Sequence, residues 1–192
     1  SLITSYIIEG DYGEGDSRFS YFGRVSWDMD EKYMATVSLR RDGSSRFGKN
    51  NRYGYFPSIS AGWVISNEDF MKSASWIDFL KIRASWGQNG KEPAERFVYM
   101  ARVGTTDRSY YFGDSRYTGV SPIIFANPDL KWEASTQTNI GFDARFFENF
   151  RFAFDWYQKF SKDWIMQSPV AGLSGIAGIS QSNPFINGGN VK

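Results

Sequence analysis

The feature that most limits how this chain can fold is a period of two. Six runs alternate apolar and polar residues: 18–29, 32–40, 55–65, 80–87, 133–146 and 150–160. In the first, Phe19, Tyr21, Val25, Trp27 and Met29 share one side, and Arg18, Ser20, Arg24, Ser26 and Asp28 the other, with Phe22 out of pattern. In the second, Tyr33, Ala35, Val37 and Leu39 alternate with Lys32, Thr36, Ser38 and Arg40. The later runs present Tyr55, Ile59, Ala61 and Trp63; then Leu80, Ile82, Ala84 and Trp86; then Ile140, Phe142 and Phe146; then Phe150, Phe152, Phe154 and Trp156. Side chains of an extended strand point alternately to its two faces, so each run has one apolar face as a strand and none as a helix. The aromatic share of 18% and the 19 glycines agree with an all-β chain, because aromatics favour strands and glycine favours turns.

The connections between runs are uneven in a regular way. Short links at Asp30–Glu31 and Phe147–Asn149 alternate with long ones after residues 40, 87 and 160. The segment 66–79 is of medium length and has room for one helical turn. With antiparallel neighbours, every long loop then falls at one end of the sheet, as in transmembrane barrels. Along the apolar faces Trp27, Tyr33, Trp63, Phe146 and Phe150 sit at the short-turn end, and Tyr21, Tyr55, Trp86 and Trp156 toward the long loops. Small aliphatic residues such as Val25, Val37, Ile59, Ala84 and Ile140 lie between, and Phe152 and Phe154 break the pattern. Two aromatic belts around an aliphatic band match the two water interfaces of a bilayer. A sandwich core would place its largest side chains mid-strand.

Charge and residue content exclude several chemistries. Twenty-two basic and 21 acidic residues give a formal charge of +1, which offers no footprint for nucleic acid. The sequence contains neither Cys nor His, so thiol chemistry, disulfides and the commonest general base are absent. No cofactor or metal site is expected. No apolar stretch is long enough for a membrane helix, and residues 1–15 lack a signal-peptide core. The stretch GSSRFGKN at 43–50 spaces Gly43, Gly48 and Lys49 like a phosphate loop. Asn50 replaces the required Ser or Thr, and an alternating strand follows where a helix is needed. The segment around it therefore reads as a solvent-facing loop with an Asp-Gly turn at Asp42–Gly43. The acidic residues of 67–70 lack the ligand spacing of a calcium loop.

Longer phrases carry a family resemblance. The stretches SYFGRVSWDMDEKYMATVSLRRDGSSRFGKNNRYGYFPSISAGWVIS, WIDFLKIRASWGQNG, FANPDLKWEASTQTNIGFDARFF and DWYQKFSKDWI resemble the SusC/RagA-type TonB-linked outer-membrane receptors. The similarity runs from about residue 18 onward and is weakest over 92–122. It implies a barrel of about 22 strands in the outer membrane of a Gram-negative bacterium, enclosing an N-terminal plug. It implies uptake of large nutrients such as oligosaccharides or peptides, with a SusD-like surface lipoprotein as lid and TonB as energy source. Residues 1–192 are then expected to be part of the barrel domain, contributing six to seven strands, with plug, TonB box and signal peptide absent from this chain.

Two other readings make different use of the same residues. A soluble all-β carbohydrate-binding module would stack sugars on Tyr110, Tyr111 and Phe112. A glycosidase would draw carboxylates from Asp28, Glu133 and Asp155. On the importer reading there is no enzymatic chemistry, and the candidate substrate-contact residues lie in long loops: Arg46 and Phe47 in the first, Tyr110, Tyr111 and Phe112 in the second.

Overall fold

A computed structural model describes residues 15–104, 109–118, 121–171 and 183–191. Four long strands come first: β1 (Arg18–Met29), β2 (Tyr33–Ser44), β3 (Tyr53–Val64) and β4 (Ile77–Lys91). Four short ones follow within one connection: β5 (Arg102–Gly104), β6 (Ser109–Phe112), β7 (Ser115–Thr118) and β8 (Ser121–Ile124). The chain then returns as β9 (Glu133–Phe146) and β10 (Phe150–Lys162), with β11 (Ile165–Gln167) and β12 (Phe185–Asn187) beyond. The six long strands form one sheet in the order β1-β2-β3-β4-β9-β10, antiparallel throughout. It is an open stretch of barrel wall.

The alternating runs locate all six strands. Two of them, β2 and β4, run four residues past the alternation at their loop ends, over 41–44 and 88–91. β4 continues through Asn89, Gly90 and Lys91, which pair with Ser135, Ala134 and Glu133. Polar residues and glycine conceal that extension from a hydrophobic pattern. Asp42–Gly43 is the other correction: it is strand, not turn. Gly43 pairs with Phe19 on one side and Tyr53 on the other, and those two rings meet edge to face at 5.5 Å. The loop that follows is solvent-facing only in part, since Phe47 and Gly48 are buried while Lys49 and Asn50 are exposed.

Two short turns close hairpins with both central residues at positive φ: Asp30 and Glu31 at 55° and 54°, Phe147 and Glu148 at 49° and 60°. Positive φ at both central positions matches the right-handed twist of paired strands. The segment between β3 and β4 holds two 3₁₀ turns, Ile65–Asn67 and Asp69–Met71. The connection over 92–132 and the chain beyond β10 emerge at the opposite end, together with the 45–52 loop, which is shorter than the 65–76 connection. Hydrogen-bonded rows climb across the wall. One row runs Met29–Tyr33–Trp63–Ile82–Phe142–Phe154. It begins at the first hairpin turn, but its last residue stands well inside β10. Such stagger accompanies tilted strands in a barrel, and it lets Trp27 and Trp156 share a row while lying toward opposite rims.

One face of the wall is apolar and uncovered. Val25 is 67% exposed, Val37 53%, Ile59 51% and Ile140 49%, although all are mid-strand. Among the described residues no second layer packs on this face. The largest fully buried side chains, Phe47 and Leu130, lie among the loops instead.

Candidate functional site: the inner face and the outer-loop end

The opposite face is built mostly from small and polar side chains, with Phe22, Phe56, Phe79 and Tyr157 among them. Ser26 and Thr36 share a hydrogen bond of 3.1 Å, and Ser38 and Ser58 one of 2.7 Å. Asn139 donates to the Ser85 hydroxyl at 3.1 Å. Arg83 holds three strands together. Its Nε meets Asp143 at 3.0 Å on β9, and its terminal nitrogens meet Asp155 at 2.8 and 2.9 Å on β10. A depression of about 250 Å³ beside it is lined by Thr36, Ser60, Lys81, Arg83 and Asn139. A continuous polar surface opposite an apolar one is what a water-filled lumen requires.

At the long-loop end, charged residues make a lattice. Arg46 donates to Asp16 at 2.8 and 3.0 Å, and to the carbonyls of Pro93 and Ala94 at 2.8 and 2.9 Å. Glu92 accepts from Ser44 at 2.6 Å and pairs with Arg18. Burial alone would raise the Asp16 pKa, but hydrogen bonds from Arg46 and Ser45 and the nearby Arg18 charge outweigh it and hold the carboxyl below its usual range. Beneath the lattice, Phe47 packs with Val98 and Leu130. Trp132 stands 4.7 Å from the Phe47 ring and 5.6 Å from Phe56. Gly90 is required here, because a Cβ would lie 1.9 Å from the tip of the Phe56 ring.

The expected loop residues thus fall into two groups. Arg46 and Phe47 join one network that ties three connections together, with Phe47 wholly buried. Tyr110 sits in the β6–β7 hairpin opposite Tyr117. Tyr111 and Phe112 are 69% and 78% exposed at its tip. Tyr110, Tyr111 and Phe112 belong to a two-stranded sheet of their own.

The carboxylates required for a glycosidase stay apart. Asp28 is at the hairpin end of β1, and Glu133 is at the loop end of β9, where it accepts from the Ile165 amide at 3.4 Å. Asp155 is engaged by Arg83. What the sequence did not reveal is the set of partners: Asp16, Glu92 and Asp143 carry no motif, and only the register, for Asp143, and the meeting of the loops, for Asp16 and Glu92, bring them to their arginines.

The short-turn rim has its own anchor. Glu68 accepts from the Tyr33 hydroxyl at 2.6 Å, the Trp63 indole at 3.1 Å and Lys32 at 3.2 Å. The two rings stack 6.3 Å apart. These bonds, led by the one from Tyr33, lower the Glu68 pKa.

An antiparallel wall with an apolar outer face, a mostly polar inner face and its longest connection at one end is a portion of a transmembrane β-barrel. Comparison with known proteins gives the same architecture a family. The profile described as TonB dependent receptor-like, beta-barrel matches residues 3–192, and the chain belongs to that family. It is 36% identical over 159 residues to TonB-dependent receptor P3 of Formosa agariphila, covering 82% of this chain and 16% of that relative. It is 39% identical over 138 residues to TonB-dependent receptor SusC of Bacteroides thetaiotaomicron, covering 70% of this chain and 14% of the relative. Among solved structures, the RagAB peptide importer in its closed-closed state superposes with a TM-score of 0.76 at 29% identity, over 91% of this chain and 18% of that one. The chain therefore spans about one sixth of the length of the relatives it matches.

Proposed function

We propose that residues 1–192 form part of the barrel domain of a TonB-dependent importer in the outer membrane of a Gram-negative bacterium. On this reading the receptor takes up large nutrients, oligosaccharides or peptides, with a SusD-like surface lipoprotein as lid and TonB as energy source. The observation that carries the reading is the two-faced wall. A soluble carbohydrate-binding module would leave Val25, Val37, Ile59 and Ile140 in water, whereas a bilayer accommodates them. The outer edge of β1 is unpaired among the described residues, and β10 has one bridge there, Ser161 to Val191. Unprotected edges invite aggregation, so further strands complete the wall. Family membership and the similarity to a structure described as a peptide importer support the transport role.

The ligand-contact role of Arg46, Phe47, Tyr110, Tyr111 and Phe112 belongs to the same proposal. Tyr111 and Phe112 would meet ligand, while Arg46 and Phe47 would shape the loop. The test is made on the intact receptor from its native membrane. It should require detergent for extraction, migrate faster on SDS gels before boiling than after, and co-purify with a surface lipoprotein. Strains lacking it should lose growth on a defined glycan or peptide pool. An intact polypeptide that stays folded and soluble without detergent would sink the proposal.

A further inference from the structure

The apolar outer face of the wall carries a cation near its loop end. Arg41 stands in the row Tyr21–Arg41–Tyr55, on the same side of β2 as Val37 and Leu39. Its guanidinium carbon lies 4.3 Å from the centre of the Tyr53 ring and 5.6 Å from that of Tyr55. Phe19 meets both Tyr21 and Tyr53 edge to face at 5.5 Å, so the rings form a connected frame. No carboxylate pairs with Arg41 among the described residues, and its Nε has no hydrogen-bond partner. The rings offset part of the charge but give the guanidinium no acceptor for its N–H groups. An acceptor from outside the chain would complete the arrangement.

Its height in the wall indicates which kind of acceptor. Arg41 lies four residues beyond Val37, in the middle of the aliphatic band. At roughly 3.3 Å per residue and a tilt of about 40°, that is about 10 Å toward the loop end. The apolar band of a barrel is about 25 Å tall, so the guanidinium reaches the level of the lipid headgroups, toward which long cationic side chains extend. An anion at that height on that face belongs to a lipid. The next row, Gly23–Leu39–Pro57, leaves room for the lipid's chain, since a Cβ on Gly23 would meet nothing within 4 Å. Glycine inside a strand often marks such a close approach. A second copy of the wall suits the position poorly. The outward positions of β1, β2, β3, β9 and β10 contain no Asp or Glu, so this face offers Arg41 no carboxylate. Among lipid groups, phosphate matches the paired N–H donors of a guanidinium.

We infer that Arg41, framed by Tyr21, Tyr53 and Tyr55, binds the phosphate of a lipid headgroup in the outer leaflet, with an acyl chain of the same lipid lying over Gly23. This rests on the reading of the sheet as the wall of an outer-membrane barrel with its loops outside. Bound there, the lipid would brace the loop ends of β1, β2 and β3 from the outer side, next to the network of Arg46 and Phe47.

Native mass spectrometry of the intact receptor in mild detergent tests this. The probes are phosphorylated lipid A, the same lipid stripped of its phosphates, and inorganic phosphate. The wild type should prefer the phosphorylated lipid, and inorganic phosphate at the same concentration should not displace it. R41Q should bind the phosphorylated lipid about tenfold more weakly, the order of one charge-assisted contact, and the stripped lipid as the wild type does. R41K keeps the charge and loses the planar fork, so it should fall between the two, and it carries the comparison if R41Q does not fold. Equal affinity of the wild type and the variants for the phosphorylated lipid overturns the inference. So does displacement by inorganic phosphate, which would mark a site for a dissolved anion. So does a receptor dimer that the Arg41 variants dissociate with lipid binding unchanged, which would mark a contact between copies. Heat-dependent gel migration is measured on the same samples. A heat-modifiable receptor without phosphate preference defeats the lipid site alone, whereas loss of heat-modifiability in the wild type defeats the barrel reading beneath it.

Discussion

At the scale of single residues, two side chains show how the loop end is held. Phe47 has no exposed surface and contacts a cluster contributed by separate connections. Truncating a buried Phe costs about 3 kcal/mol or more, through lost burial and the cavity left behind. Phe47→Ala should therefore release the loops while the wall stays intact. Hydrogen exchange should accelerate over 92–104 and 124–132, with heat-dependent gel migration unchanged. Gly90 tests a tighter constraint. The Cβ of Gly90→Ala would meet the Phe56 ring at 1.9 Å, and overpacking of this kind costs about 1–3 kcal/mol. The ring is buried and cannot simply swing aside. Phe56→Leu in the Gly90→Ala background should cost less than Phe56→Leu alone, and denaturant unfolding of the four proteins in a double-mutant cycle measures the coupling. Additive effects would mean that the ring moves freely. Neither contact was legible in the sequence. Phe47 sits in a glycine-rich polar stretch that resembles a loop, and its partners Val98 and Leu130 are distant in the chain.

At the scale of elements, hydrophobic period located the strands well because each long strand has one mostly apolar face, broken only at positions such as Arg41 and Thr138. It failed where the chemistry was local. Asp42–Gly43 has turn composition, yet pairing on both sides keeps it extended. The connection between β3 and β4 shows how a loop with little pattern acts on strands with a strong one. Glu68 binds Tyr33 of β2 and Trp63 of β3, together with Lys32 from the first hairpin. Its folded pKa is lowered, so its contribution is present above the unfolded carboxylate value of about 4.3 and is lost as pH falls through the folded value. Protonated Glu68 still accepts some hydrogen bonds but no longer pairs with Lys32. Lowering the pH from neutral through the lowered Glu68 value should change the Trp63 fluorescence and loosen residues 65–76, as read by hydrogen exchange. Glu68→Gln should show the loosened state at neutral pH and lose the pH dependence of this signal. An unchanged profile in Glu68→Gln would place the titrating group elsewhere, with Asp69, itself lowered by Lys72, the nearest alternative.

At the scale of the whole molecule, the two faces of the wall differ in the surroundings they suit. The alternation in the sequence already separated the faces. It did not say which face meets lipid, because a half-buried soluble sheet alternates in the same way. Among the described residues the apolar face is uncovered and polar side chains join across strands on the other, which fits the proposed bilayer on the apolar side. Neighbouring residues of β2 therefore face opposite surroundings. Val37 lies in the row Val25–Val37–Ile59, the middle of the aliphatic band, and Ser38 points inward to Ser58. Arginine on the lipid side of a barrel costs about 2–4 kcal/mol at the bilayer midplane, and lumen positions escape that cost. Val37→Arg in the full receptor should reduce insertion into lipid vesicles and lower the denaturant midpoint by that order. Ser38→Arg loses one hydroxyl contact, worth about 1 kcal/mol, and should insert at nearly the wild-type level. The difference should shrink when folding is carried out in detergent micelles, whose apolar layer deforms around a charge more readily than a bilayer does. Equal losses from both substitutions in vesicles would mean that the two faces share one environment, which no wall between lipid and lumen permits.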